Sequence, residues 1–265
     1  MSGIPPVIRV DGVAQCFGPR TIFRDVTFNV ARGEVFVILG GSGCGKSTLM
    51  RQLIGLLEPS AGRIEVQGHV ITGADADAGR AAMLPGIGVM FQAGALFGSM
   101  SLLENVMLPL EVFTDLPPEA RAAVARVKLG LVGLSDAASL LPAEISGGMA
   151  KRAAIARAMA LDPPLLFLDE PSAGLDPITS AGLDRLILDL RHDLGATFVV
   201  VTHELTSILT IADRCIMLDR SAHPAGPDGP AVGGIIAEGD PRRLREESTH
   251  PIVRAFFRRE MVATP

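Results

Sequence analysis

The sequence predicts an α/β fold built on a parallel sheet, and three observations carry that prediction. After residue 147, helical and β-prone stretches alternate: helix 148–161, strand Leu165–Leu168, helix 178–194, strand Thr197–Val201 and helix 204–212. Strands that alternate with helices pair in parallel and are covered by those helices on both faces. Glu34–Leu39 (EVFVIL) reads as a buried strand that feeds directly into a glycine cluster, the order expected where a central strand ends at a ligand site. Residues 102–141, between two strand-rich parts, carry a helical pattern broken at Leu116-Pro117-Pro118, which marks an inserted helical subdomain at approximately 95–160.

The remaining elements follow from local signals. Val7–Val10 and Val26–Val30 are short β-prone runs, and Ser47–Leu57 is a helix halted by Glu58-Pro59-Ser60-Ala61-Gly62. Arg63–Val66 and Val70–Ile71 form a small hairpin around Gln67-Gly68. Cys215–Leu218 and Gly234–Ala237 form another, separated by the Pro/Gly-rich loop HPAGPDGPAVGG (His223–Gly234), a surface insertion without visible chemistry. The tail, 241–265, mixes basic residues with Ile252, Val253, Phe256 and Phe257. It reads as a solvated helix, with a partner contact as the alternative.

Composition narrows the class of protein. The 265 residues suffice for one large domain spanning 1–265, and 48% hydrophobic content argues against disorder. A net charge of −5 without a basic block argues against nucleic acid as a partner. Cys16, Cys44 and Cys215 are odd in number and match no metal-ligand spacing, so they read as reduced thiols. The N-terminus lacks a signal-peptide layout, and no window holds about 18 apolar residues, so a cytoplasmic chain held at a membrane only by a partner is expected.

Two stretches carry chemistry directly. Gly40-Gly41-Ser42-Gly43-Cys44-Gly45-Lys46-Ser47-Thr48 matches G-x-x-x-x-G-K-[ST] in a strand–loop–helix context. Its backbone amides converge on phosphate, Lys46 reaches the β- and γ-phosphates, Ser47 ligates Mg2+, and Thr48 lies near the α-phosphate. Leu165–Leu168 then delivers Asp169 and Glu170 at a strand end. Such carboxylates also serve as helix caps, but beside a phosphate loop Asp169 holds Mg2+ through water and Glu170 polarises the attacking water.

Two further features fit the same edge. His203 follows TFVVVT (Thr197–Thr202) in the position Asp169 takes after its own strand, within reach of a γ-phosphate; His69, His192, His223 and His250 lie in polar or loop contexts and read as structural. Ser146-Gly147-Gly148, inside ISGGMAKR (Ile145–Arg152), opens a second helix in a way that also suits an anion.

Taken together, these elements resemble the ATP-binding subunits of ABC transporters over nearly the whole chain. ISGGMAKR is similar to the family's signature motif, Phe91-Gln92 to its Q-loop, Ser172-Ala173-Gly174-Leu175-Asp176 to its D-loop and His203 to its switch histidine. Phe17, before Gly18, matches the aromatic residue that stacks on adenine. The resemblance implies a RecA-like P-loop NTPase core with an antiparallel β subdomain and an inserted α-helical signature subdomain. It also implies ATP and Mg2+ as cofactors, the metal held by Ser47, Gln92 and Asp169, with Glu170, His203 and Gln92 catalytic. Two copies would face each other head to tail. Each ATP then lies between one P-loop and the other copy's Ser146, Gly147, Gly148 and Met149. Met149 stands where glutamine is commoner, and a thioether cannot copy the amide's hydrogen bonds.

Within the family, FQAGALF (Phe91–Phe97), SLLENV (Ser101–Val106), the SGGM signature and the run Asp169–Thr179 resemble the Mla- and Mce-type lipid transport ATPases. That resemblance implies phospholipid transport across the bacterial envelope and attachment to the cytoplasmic face of the inner membrane. It implies an integral permease of the MlaE type docking near 91–106, with an MCE-domain lipid-binding protein and a small regulatory subunit as further partners. Ordinary core packing is the competing reading for the ALF stretch. The alternatives for function are an ABC ATPase serving another solute, or one acting on DNA or ribosomes; the single domain, compact insert and acidic balance argue against the latter. A small-molecule kinase would leave ISGGMAKR and the D-loop unexplained.

Overall fold

A computed structural model describes residues 5–74, 76–224 and 231–259. β1 (Ile8–Phe17) and β2 (Arg20–Val30) form one long antiparallel hairpin, of which the sequence reveals only the two ends. Register shifts between Val10 and Cys16, with Gly12 and Asp25 in left-handed conformations, break the alternation that would have exposed the rest. β3 (Val35–Gly40) leads into a loop and then α1 (Lys46–Leu53). α1 ends four residues before the expected Leu57, because Gly55 turns the chain at φ +77° and the amides of Leu56 and Leu57 fold back onto the Arg51 carbonyl. β4 (Ala61–Val66) and β5 (His69–Val70) form the expected hairpin, with Gln67 and Gly68 both at positive φ as a type I′ turn requires.

α2 (Ala76–Met83) and β6 (Ile87–Met90) escape the sequence reading. Each is too short to establish a period, and α2 buries only Ala76 and Met83. The expected helical stretch resolves into α3 (Leu102–Phe113) and α4 (Pro118–Leu131), parted at the prolines. Beyond Leu131 the chain turns at Gly133 and continues to Glu144 in short 3-10 turns instead of a helix reaching 141. α5 (Gly147–Ala158), β7 (Leu165–Asp169), α6 (Pro177–Leu194), β8 (Thr197–Val201) and α7 (Leu205–Ile211) follow in the expected alternation. β9 (Arg214–His223) and β10 (Val232–Gly239) pair antiparallel; residues 225–230 of the loop expected between them lie outside the described residues.

Ten strands share one sheet in the order β5-β4-β1-β2-β10-β9-β3-β8-β7-β6. The run β9-β3-β8-β7-β6 is parallel, and β5-β4-β1-β2 is antiparallel. The two halves join where Gly233 pairs with Phe23, and a Cβ at Gly233 would sit 2.4 Å from the Ile22 carbonyl oxygen. Only glycine permits that approach.

Strand periodicity divides the interior into two cores. Val35, Val37 and Leu39 of β3 face a core shared with the helices, whereas Phe36 and Ile38 face one shared with α1 and the β1–β2 hairpin. β7 and β8 split in the same way. Helices α3, α4 and α5 pack on one another, and the small side chains of Ala153, Ala154 and Ala156 are fully buried at their centre. Their apolar faces are continuous with the core against the sheet, so the inserted helices share the core of the domain.

The tail departs from a solvated helix. After α8 (Pro241–Glu247), α9 (Pro251–Arg258) buries Val253 and Phe257 in the core under the parallel strands, with Ile252 and Phe256 packed alongside. Burying two large side chains is worth roughly 3–6 kcal/mol and outweighs solvation of the basic face. Residues 260–265 of the tail lie outside the described residues. No helix among the described residues is long and apolar enough to cross a membrane.

Candidate nucleotide-binding and catalytic site

The parallel strands end together at one edge of the sheet. Asp169 pairs with Val201, and Ile38 with the same residue, so the loop after β3, Glu170 after β7 and His203 after β8 emerge side by side. β6 runs beside β7 and delivers Phe91-Gln92 to that edge. Ligand sites of open α/β sheets lie at the carboxyl ends of strands.

The glycines of the loop are fixed by contacts from distant parts of the chain. A Cβ at Gly40 (φ +150°) would lie 2.2 Å from the Leu218 carbonyl oxygen, and one at Gly45 (φ +104°) would lie 2.7 Å from the Phe23 ring. Gly45 caps α1 without a side chain, which leaves the first-turn amides open to an anion. Gly41, Ser42 and Gly43 are exposed, Ser47 is exposed on the first turn of α1, and Thr48 is half-buried behind it. The Lys46 ammonium donates to the carbonyls of Gly40 (2.8 Å) and Gly41 (3.0 Å), so its charge lies over the loop. Cys44 points inward into the core, and burial pushes its thiol pKa up, with Lys46 opposing.

One residue of this loop's environment is invisible in the motif. Arg220, on β9, donates from Nε to the Gly43 carbonyl (3.2 Å) and from Nη2 to the Ser42 carbonyl (2.8 Å). Because peptide groups are planar and trans, fixing these two carbonyls turns the amides of Gly43 and Cys44 away from Arg220. Nothing local could have announced a partner nearly 180 residues away.

Glu170 sits in a left-handed conformation at φ +48°, unusual for a residue with a side chain and costing on the order of 1–3 kcal/mol. Its amide donates to the Val201 carbonyl at 2.8 Å, and its Oε1 shares a hydrogen bond with His203 Nδ1 at 2.8 Å. The residue is only 8% exposed, yet Oε2 has no partner among the described residues; neither has the buried Asp169 Oδ1. An orphaned Asp169 oxygen at the same sheet edge as the exposed Ser47 suits a hard cation, and the orphaned Glu170 oxygen suits a water. The residues therefore fit Mg2+. Burial, and then the neighbouring Glu170, raise the Asp169 pKa, while Arg51, Lys151 and Lys46 pull it down.

The second anion-shaped helix start lies at α5. The Ser146 hydroxyl accepts from the Met149 amide at 3.3 Å, which caps the helix, and a Cβ at Gly147 would touch only Leu175, at 3.9 Å. At Gly148 it would strike Thr179 Cγ2 of α6 at 2.5 Å, so this glycine is also demanded by packing. The Met149 side chain packs half-buried on the core. Among the described residues, no hydrogen bond joins 40–48 to 145–149. Between the two starts, Asp176 caps α6 by accepting from the amides of Ile178 and Thr179 at 3.0 Å each and from the Thr179 hydroxyl at 2.5 Å. That Thr179 contact holds the Asp176 carboxyl below its ordinary pKa. Ser172 is buried, Ala173 donates to the Glu170 carbonyl, Gly174 turns the chain at φ +77°, and Leu175 packs on the core.

The family model for the ABC transporter matches residues 23–173. The chain belongs to the ABC transporter ATP-binding family. It is 41% identical to the intermembrane phospholipid transport system ATP-binding protein MlaF of Escherichia coli K12, over 91% of this chain and 84% of that protein. It is 40% identical over 94% of its length to the probable ribonucleotide transport ATP-binding protein mkl of Mycobacterium tuberculosis H37Rv, of which it spans 66%. Among solved structures, cbiO1 from Clostridium perfringens, part of the ABC transporter complex cbiONQ, superposes with a TM-score of 0.79 at 28% identity, covering 92% of each chain. The dimeric cassette MJ0796 bound to ADP and Pi gives 0.75 at 28% identity, covering 88% of this chain and 98% of that one.

Two more features of this ABC cassette bear on its site. Phe17, at the end of β1, is half-exposed, and its strand is tied to α1 by Gln52 donating to Gln15 Oε1 at 2.7 Å. The FQAGALF segment is bent outward: Arg157 donates to the carbonyls of Gly94 (2.8 Å) and Ala95 (2.6 Å), and Ala95 sits at φ +50°. Phe97 is 52% exposed and Leu96 only half-buried, so ordinary core packing does not account for the ALF stretch. Phe91 borders an apolar groove of about 260 Å3 lined also by Leu56, Leu84, Pro109 and Phe113.

Proposed function

We propose that this chain is the ATP-hydrolysing subunit of a transporter that moves a lipid, with phospholipid as the class, through a separate membrane permease. The observation that carries the hydrolytic part is the convergence of Lys46, Asp169, Glu170 and His203 at one sheet edge, with Glu170 Oε1 engaged by His203 and Oε2 left free.

The amides of the loop and Lys46 bind the phosphates of ATP. Ser47, Gln92 and Asp169 would hold Mg2+, which would neutralise phosphate charge. Glu170 takes the proton of the attacking water on its free oxygen, and His203 orients the carboxylate from the other side. A general base of this kind contributes about 10²–10⁴ in rate, or roughly 3–5 kcal/mol. Phe17 stacks on the adenine.

Each chain carries one phosphate loop and one signature, and the second anion site completes the first only across a pair of chains. Ser146 and the amides of Gly147 and Gly148 would meet the γ-phosphate bound by the other copy, with Met149 and the D-loop residues 172–176 beside them. The dimeric form of MJ0796 supports this pairing, as does Ile178, 86% exposed next to the D-loop. A γ-phosphate contacted from both sides closes the pair, and its hydrolysis removes that contact.

The apolar groove beside Phe91, with the exposed Phe97 and Phe113, supplies a docking surface for a permease segment near 91–106 and keeps the subunit at the cytoplasmic face of the membrane. Likeness to the ATP-binding protein of an intermembrane phospholipid transport system supports phospholipid as cargo, and on this reading an MlaE-type permease, an MCE-domain protein and a small regulatory subunit are the expected partners. Another solute is the second reading, favoured by the ribonucleotide assignment of mkl. The complex should be isolated through this chain, its ATPase rate compared with that of Glu170→Gln, and its bound small molecules identified by mass spectrometry. Expected are a membrane protein, a phospholipid, and a rate lower by about 10² or more in the variant with ATP binding intact. Wild-type turnover by Glu170→Gln would remove the catalytic assignment, and a complex carrying nucleotide cargo but no lipid would favour the second reading.

A further inference from the structure

α5 presents its N-terminus as the signature and, one turn later, turns Lys151 toward the opposite site. Lys151 is 9% exposed. Its ammonium donates to the Gln92 carbonyl and, at 3.4 Å, to the Glu170 carbonyl. Burial lowers its pKa, with Asp169 and Glu170 opposing. Burying an ammonium costs several kcal/mol unless it is paired, and its neighbours in the helix at this depth are Ala153, Ala154 and Ile155. A side chain needed only to fill space would be apolar like them.

What Lys151 touches gives the charge a purpose. The two carbonyls belong to residues from different strands, Gln92 after β6 and Glu170 after β7, and both are proposed here to act on the metal and the attacking water. Glu170 is also the residue whose backbone is held in a left-handed conformation. Its amide is fixed by the Val201 carbonyl, and its own carbonyl accepts from Ala173 at 3.2 Å and from Lys151. Ser146 lies one turn before Lys151 on the same rigid helix.

We propose that Lys151 is a positioning residue for hydrolysis: a single ammonium that sets the backbone of Gln92 against that of Glu170 and ties both to the signature helix. Lys151 therefore acts through the placement of those two residues and not through contact with nucleotide. Movement of the segment after β6, or of the signature, is transmitted to the Glu170 backbone through this one side chain.

The inference rests on the hydrolytic reading above, and the test separates the two. In the full chain, Lys151→Met removes the donor at nearly constant length, and Lys151→Gln restores a donor without charge. Lys151→Met should lower kcat by about 10–100-fold with the Kd for ATP unchanged within about 3-fold, and Lys151→Gln should recover kcat to within about 5-fold of wild type. Independently of activity, hydrogen exchange without nucleotide should be about 10-fold faster in Lys151→Met at residues 91–95 and 172–175, with the rest of the chain unchanged. Wild-type kcat and exchange in Lys151→Met would overturn the proposal; so would equal loss of kcat and ATP affinity in both variants. If Lys151→Met does not fold, Lys151→Ala takes its place under the same criteria. A wild-type chain that does not hydrolyse ATP would remove the proposed function instead, while the exchange measurement would still judge Lys151.

Discussion

The helix starts at Lys46 and at Gly147 both offer backbone amides to an anion, but the chain encloses only the first. Around Lys46 the loop is gripped from several distant places: Leu218 and Phe23 press against Gly40 and Gly45, Arg220 holds two carbonyls, and the carboxylates of Asp169 and Glu170 stand at the end of β7, on the far side of β8. Around Gly147 there is open space, with Leu175 the nearest atom at 3.9 Å, and the packing constraint falls on Gly148 alone. The first start is a cradle held in place by its own chain, and the second is an open face. An anion bound at the second needs its remaining partners from another chain, which is the physical content of the proposed dimer.

Substitutions can break this comparison, beginning with the largest effect. Lys46→Ala should weaken ATP binding by about 10²-fold or more, because a charge-assisted phosphate contact is lost. Gly147→Asp places a carboxylate on the open face without strain in its own chain. It should leave ATP affinity of the single chain within about 2-fold yet abolish ATP-dependent dimerisation and lower hydrolysis by about 10²-fold, through like-charge repulsion. Calorimetry and light scattering with ATP distinguish the two, and weakened binding in Gly147→Asp would place the signature in the same pocket as Lys46.

The next test separates Gly147 from Gly148. Gly148→Ala drives a methyl into Thr179 and should cost about 1–3 kcal/mol in denaturant unfolding, whereas Gly147→Ala should be neutral or slightly stabilising. Smaller again, Arg220→Ala should raise the KM for ATP about 3–10-fold with kcat little changed, since one bidentate clamp on the loop is lost and no reacting group is touched. At the smallest end, alkylation of the native protein at pH 8 should modify Cys16 and spare Cys44 and Cys215. Cys16 is exposed, Cys44 is buried under the loop, and burial pushes the Cys215 thiol up to about 12. Raised pKa values leave less thiolate at this pH, about one part in ten thousand for Cys215. Mass spectrometry of labelled Cys44 would show that the first pocket opens in solution.

The features most legible in advance are those encoded over a few adjacent residues. The phosphate loop and the strand before it announce themselves because strand, turn and helix start are consecutive, and the same holds for Asp169-Glu170 and His203 at their strand ends. α2 and β6 were missed because two turns of helix or four residues of strand hold too little periodic signal, yet β6 is what brings Gln92 to the site. The β1–β2 hairpin hid behind a bulge, and the tail read as solvated because its basic residues outnumber the large apolar side chains that it buries. Arg220, Lys151 and the Gln15–Gln52 link had no local signature at all.

The sequence by itself determined the α/β class, the alternation of elements after residue 147 and the chemistry available at each strand end, because local spacing dictates both periodicity and motif. Only the tertiary structure decided which backbone atoms those residues answer to. It placed Arg220 on the loop, Lys151 between Gln92 and Glu170, Thr179 against Gly148, and the open face at Gly147. The reason is distance along the chain: contacts made by residues 19 to 178 positions apart follow from how the sheet orders its strands, and that order is a property of the packed whole.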